Sequence, residues 1–153
     1  MNAGASKIQI SCTWTSAGQV RSTPNGIKVP ELPERPGVYQ WVFHHGGRER
    51  RYVGESADLR NRFDAYEQVA EGRTTDRRMN DRAVRVLDDG GTVEILLAAD
   101  VQVLAGACPF DDLAHVHVRR LVENAVLVEL IAGMGEVIND KGYGSLRDDP
   151  VLG

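Results

Sequence analysis

The chain reads as an α+β domain: a small antiparallel or mixed sheet, three-stranded or slightly larger, flanked by helices. Three observations predict it. Residues 37 to 43 alternate Val38, Gln40, Val42 against Tyr39, Trp41, Phe43, the β-branched and aromatic content of a half-buried strand. Thr92 to Ala99, TVEILLAA, is apolar enough for a buried strand. Elsewhere, near residues 59–70, 76–88 and 111–131, apolar residues recur at helical spacing.

With 153 residues, 42% of them hydrophobic, the sequence can bury one core without metal or disulfide staples. It is read as one domain over 1–153, with its core at about 36–140. No repeat is visible, and no apolar run approaches the length of a membrane helix. The N-terminus lacks the succession of a signal peptide, so a cytoplasmic protein without a membrane partner is expected. Cys12 and Cys108 are then free thiols, and with His44, His45, His115 and His117 they form no metal-ligand spacing. If both are helical, His115 and His117 diverge too far to clamp one metal.

Taken in order, Ile8, Ile10, Cys12 and Trp14 alternate with polar residues and predict a strand over 7–15. Residues 16 to 36 hold four of the six prolines, so 16–35 is read as an extended loop tying that strand to the core. Gly46-Gly47 supplies the positive φ of a tight hairpin turn. If the turn has two residues, Trp41 opposes Tyr52 and Tyr39 opposes Gly54. Both tyrosines then share one face, with Gly54 leaving room beside the first ring. One more residue in the turn would separate them.

After the hairpin, Ser56 is a cap and Asp58 lies in the first turn of a helix whose stripe is Leu59, Phe63, Tyr66 and Ala70, with Gly72 as its stop. Arg62 sits beside that stripe, one turn before Tyr66. A second helix opens at Thr75 or Asp76 and runs to about Asp88, with Met79, Ala83, Val84 and Leu87 as its apolar side. A third starts at Pro109 or Asp111, is largely buried from Leu121 to Ile131, and breaks at Gly133 or Gly135. The tail from residue 140 is loop-like.

The net charge of −4 argues against strong nonspecific nucleic-acid binding. Its distribution is uneven: residues 44 to 85 hold ten arginines and eight acids, a balance of +2 against −6 in the rest. Arginine is the cation best shaped for bidentate phosphate contact.

Gly37-Val38-Tyr39 and Tyr52-Val53-Gly54, with twelve residues between them and Arg62 ten residues after Tyr52, resemble the GIY-YIG endonuclease family. The resemblance implies a GIY-YIG nuclease-like fold and a divalent-metal-dependent endonuclease that hydrolyses phosphodiester bonds in nucleic acid, with DNA expected. It implies that Tyr39, Tyr52, Arg62 and Tyr66 line one catalytic surface, supported by Gly54. Val122-Glu123-Asn124 is similar to the family's metal-binding segment, which makes Glu123 the ligand of Mg²⁺ or Mn²⁺ and Asn139, in Ile138-Asn139, a brace. The interval from Glu123 to Asn139 is longer than the family's. Its usual register falls on Leu127, one turn further along the same helix face. Arg60, Arg77 and Arg78 are the expected nucleic-acid contacts. No separate reader is attached, so specificity falls to this domain, a homo-oligomer or a protein partner. The alternative is a catalytically inactive GIY-YIG module that binds nucleic acid or a protein.

Overall fold

The computed structural model describes residues 3–68 and 74–139. Ala70, Gly72 and the tail from 140 lie outside them. The architecture is α+β: a mixed sheet with helices on both faces and a small separate hairpin.

Strand β1 (Ile8–Gln19) is followed by the short strands β2 (Arg21–Thr23) and β3 (Gly26–Lys28), which pair with each other alone. The central hairpin is β4 (Gly37–His45) and β5 (Arg48–Ser56), leading into helix α1 (Leu59–Glu67) and then α2 (Thr74–Asp88). Next come β6 (Thr92–Ala105), the two-residue β7 (Cys108–Pro109), α3 (Val116–Ala132) and β8 (Glu136–Val137). The main sheet runs β1-β6-β4-β5-β8, with β7 beside β6. All its pairings are antiparallel except β5 with β8.

The β4–β5 turn has two residues, Gly46 and Gly47, both at positive φ, and Tyr39 opposes Gly54 while Trp41 opposes Tyr52. Alternation along β4 then divides the interior. Tyr39, Trp41 and Phe43 face a cluster with Leu59, Phe63, Tyr66, Met79 and Val86 of α1 and α2. Val38 faces the opposite cluster, with Val118, Val122 and Val126 of α3. Each core draws on one side of a pleated strand, as a period of two requires.

Several expectations need correction. The sheet has six strands, more than the three or slightly more expected, because the two-residue β7 joins β6 beyond the end of β4 and the two-residue β8 adds to β5. The segment 16–35 is not all loop: β1 continues to Gln19, and Pro24-Asn25 form the turn of the β2–β3 hairpin. Proline suits the second position of such a turn, so here it marks a hairpin. Buried Val20, Ile27, Val29 and Leu32 dock this segment on the core. Strand β6 passes Ala99 because Asp100 takes φ 49 and absorbs an extra residue as a bulge.

The cap of α1 is Asp58, whose carboxylate accepts from the Asn61 N–H; the Ser56 hydroxyl stabilises the preceding bend. Helix α3 starts at His115, since Pro109 is used in β7. His115 is therefore a cap, and its ring lies 5.2 Å from that of His117 instead of diverging from it. Only one face of α3 is buried, and Val128 is 65% exposed.

Among the described residues no helix is long and apolar enough to cross a membrane. Cys12 and Cys108 are free thiols.

Candidate active site

The site lies at the free margin of β5. Strand β8 pairs with β5 only at Arg50 and Arg51, after which the Asn139 side chain takes over. Its amide oxygen accepts from the Val53 N–H at 3.0 Å and its amide nitrogen donates to the Val53 carbonyl at 2.7 Å. One side chain thus replaces a ladder partner and ends the pairing, so the edge beyond it, from Gly54, opens to a cleft. Because the sheet stops there, groups from both faces reach the same space. The cleft encloses about 420 Å³ between Tyr39, Tyr52, Gly54, Glu55, Ser56, Asn61, Arg62, Asp76 and Glu123.

One wall comes from α1. The Tyr39 hydroxyl bonds the Tyr66 hydroxyl at 2.8 Å and accepts from Arg62 Nε at 3.4 Å. The guanidinium lies over the Tyr66 ring, 4.4 Å from its centroid, and its Nη1 meets Asp76 at 2.5 Å. A side chain at Gly54 would not fit, since a Cβ there would stand 2.5 Å from the Tyr39 hydroxyl. Gly54 is what allows Tyr39 to reach the edge.

Burial raises the Tyr39 phenol above its ordinary pKa, while the Arg62 charge and the Tyr66 hydrogen bond pull it down. Tyr66 is pushed well above the ordinary value by burial, then by Tyr39 and Tyr52. A proton leaving this pair leaves from Tyr39, with Tyr66 donating to the phenolate. Burial opposes the Arg62 charge, but the two phenols and Asp76 outweigh it and hold its pKa above the usual arginine value.

The other wall comes from α3. Glu123 projects from the half-buried side of that helix, and burial together with the Glu55 carboxylate lifts its pKa to about 7. Glu55 is itself neutralised: Arg119 Nε donates to it at 2.6 Å and is anchored by the Leu113 and Ala114 carbonyls. Glu123 is offset by the Arg120 charge, which lowers its pKa less than burial and Glu55 raise it. Helix α3 brings Glu123 to the cleft, while Leu127, one turn further on, packs against the core cluster on that side of the sheet.

Of the expected site residues, Tyr39, Tyr52, Arg62 and Glu123 line the cleft, and Gly54 forms its floor. Tyr66 lies just behind, fully buried, and Asn139 lies beneath the edge. The expected nucleic-acid contacts are set apart. Arg60 holds the Leu32 carbonyl, Glu31 and Glu34, a tie between α1 and the 31–34 segment. Arg77 and Arg78 are exposed on α2, directly after Asp76.

Sequence reasoning missed Glu55 and Asp76 as parts of the site. Asp76 sat in a charged stretch where every acid looked like a helix-surface residue. Its signal was its place on the same face as Met79 and Ala83, where a carboxylate must be paired. No family model, curated protein or solved structure matches the chain.

Proposed function

We propose that the protein is a divalent-metal-dependent endonuclease of the GIY-YIG type, hydrolysing phosphodiester bonds in nucleic acid, with DNA as the first substrate to test. What carries this reading is one arrangement: two phenols from paired strands, a guanidinium from the next helix and a carboxylate from a distant helix all line a single cleft.

Hydrolysis of a phosphodiester needs a water stripped of its proton, cationic stabilisation of the phosphoryl oxygens and help for the leaving group. Tyr39 accepts the water's proton in its phenolate form, after its own proton has left to solvent; Arg62 and the donating Tyr66 hydroxyl stabilise that phenolate against the burial that raises its pKa. Tyr52 orients the water or the phosphate from across the hairpin. Arg62 meets the developing negative charge, held in place by Asp76.

Glu123 is the group that would hold Mg²⁺ or Mn²⁺. A partly buried carboxylate beside a second one sits in a negative potential that holds its proton more tightly and would equally attract a cation, so above pH 7 it fits such an ion. Among the described residues no three His, Cys, Asp or Glu converge, so water and phosphate oxygens would complete the shell, as Mg²⁺ prefers. The bound ion would supply Lewis-acid stabilisation of the phosphoryl oxygens. Asn139 braces the edge that carries Tyr52 and Gly54.

The test is nicking of supercoiled plasmid and cleavage of branched DNA with Mg²⁺, Mn²⁺ or EDTA. Tyr39→Phe, Arg62→Ala and Glu123→Ala are expected to lower the rate by about 10²-fold or more each, the scale of losing one transition-state contact. Equal rates in wild type and all three variants would overturn the reading. The acidic total charge and the engagement of Arg60 favour a second reading, a catalytically inactive module that binds nucleic acid or a protein. Tight DNA binding with no metal-dependent cleavage would select it.

A further inference from the structure

We propose that the backbone N–H of Glu55 is a phosphate contact of the cleft, donating to a non-bridging oxygen of the phosphodiester whose attacking water meets Tyr39. The inference deepens the endonuclease reading and rests on it.

Strand geometry turns this donor outward. In a two-residue hairpin the residues that flank the turn exchange both backbone bonds, and here these are His45 and Arg48. By alternation Arg50, Tyr52 and Gly54 also direct their N–H and C=O groups to β4, whereas Arg51, Val53 and Glu55 direct theirs away from it. The first two of that outward set meet partners. The Arg51 carbonyl accepts from the Ile138 N–H at 2.9 Å, and both Val53 groups bond the Asn139 side chain. Glu55 comes next on the same edge, and no group of the described residues bonds its N–H. A side-chain amide serves one residue's pair of backbone groups, so Asn139 closes the ladder one donor short. That donor opens on the cleft, which Glu55 lines.

The surroundings suit a phosphoryl oxygen. A loose Glu55 carboxylate would repel one, but strand side chains stand perpendicular to the sheet, and the bond from Arg119 Nε at 2.6 Å holds this carboxylate against α3. Arg119 is fixed in turn by the Leu113 and Ala114 carbonyls. On the other side, a Cβ at Gly54 would stand 2.5 Å from the Tyr39 hydroxyl. Bond lengths alone then place the Glu55 nitrogen within about 7 Å of that hydroxyl. A water on the hydroxyl and a phosphoryl group on the N–H fill such a gap at ordinary hydrogen-bond lengths. Arg62, which bonds the same hydroxyl at 3.4 Å, faces another phosphoryl oxygen from the α1 wall. A donor fixed in a strand needs no reorganisation as charge develops.

The test separates the N–H from the side chain. Glu55→Ala removes the carboxylate alone, and Glu55→Pro removes the N–H as well. Proline is tolerated on an edge strand where the N–H faces outward, so both variants should keep the circular dichroism of wild type. Cleavage by Glu55→Pro should fall about 10²-fold below that of Glu55→Ala, the scale of losing one oxyanion donor. In wild type without divalent metal, a short DNA duplex should move the Glu55 amide proton downfield by NMR and leave that of Val53, already bonded to Asn139, in place. Equal cleavage by the two variants overturns the contact and leaves the hydrolase reading standing. A wild type that cleaves nothing defeats that reading, and the amide shift then decides the contact. A Glu55 amide unmoved by DNA overturns the proposal whether or not Glu55→Pro folds.

Discussion

Arg62 and Asp76 meet at 2.5 Å between α1 and α2, and Asp76 is only 2% exposed. The pair joins the two helices and aims the guanidinium into the cleft, so one contact serves packing and chemistry together. Removing one partner of a buried pair leaves the other uncompensated, which costs about 3–5 kcal/mol. Asp76→Ala is expected to lose stability in that range by urea unfolding and to cut cleavage as far as Arg62→Ala does. Asp76→Glu should restore more stability than activity, since a longer carboxylate still pairs but shifts the guanidinium.

Gly54→Ala tests the approach of Tyr39 to the β5 edge. The new Cβ would stand 2.5 Å from the Tyr39 hydroxyl and from the ring carbon that bears it, so the ring must swing. Overpacking of this kind costs about 1–3 kcal/mol. Cleavage should fall with that of Tyr39→Phe, while the melt stays cooperative. Full activity in Gly54→Ala would show that the hydroxyl need not lie at the edge.

The pKa of Glu123, about 7 in the fold against an ordinary 4.5, fixes the sign of a pH effect. A carboxyl raised on folding stabilises the protein when protonated, and that contribution is lost as pH rises from about 4.5 through about 7. Glu123→Gln should therefore gain stability at pH 8, by about 1–2 kcal/mol after allowance for the group's partial exposure, and gain nothing at pH 4. Added Mg²⁺ should raise the melting temperature of wild type at pH 8 and leave Glu123→Gln unmoved. Cleavage should decline below pH 7 as the carboxylate takes up its proton.

Asn139 donates to and accepts from Val53. Asn139→Ala leaves both backbone groups without their partner, at about 1–3 kcal/mol if they stay dry. Amide exchange of Val53 should quicken while that of Gln40, on the paired side, stays slow. Asn139→Asp keeps the acceptor and loses the donor, so it should fall between wild type and alanine.

The central hairpin was legible because its signals are local. A Gly-Gly turn set the register, and a period of two carried Tyr39 and Tyr52 to one face. Arg62 followed from one helical stripe. The β2–β3 hairpin was hidden because Pro24 and Pro30 read as loop punctuation, while one of them sits in a turn. The end of β6 was hidden because Asp100 and Gln102 interrupt its apolar run at a bulge. Asp76 and Glu55 escaped because their partners, Arg62 and Arg119, are 14 and 64 residues away, and pairing at such range is a property of the fold.

Tyr39 and Arg62 belong to the interior on one side of the sheet, and Glu123 to that on the other. The cleft is a seam where two separately packed halves of the molecule look at each other past the rim of a single strand. Anything seated there works as a rivet through both. An occupied site should therefore slow the breathing of α1 and α3 together, although these helices lie on opposite sides of the sheet.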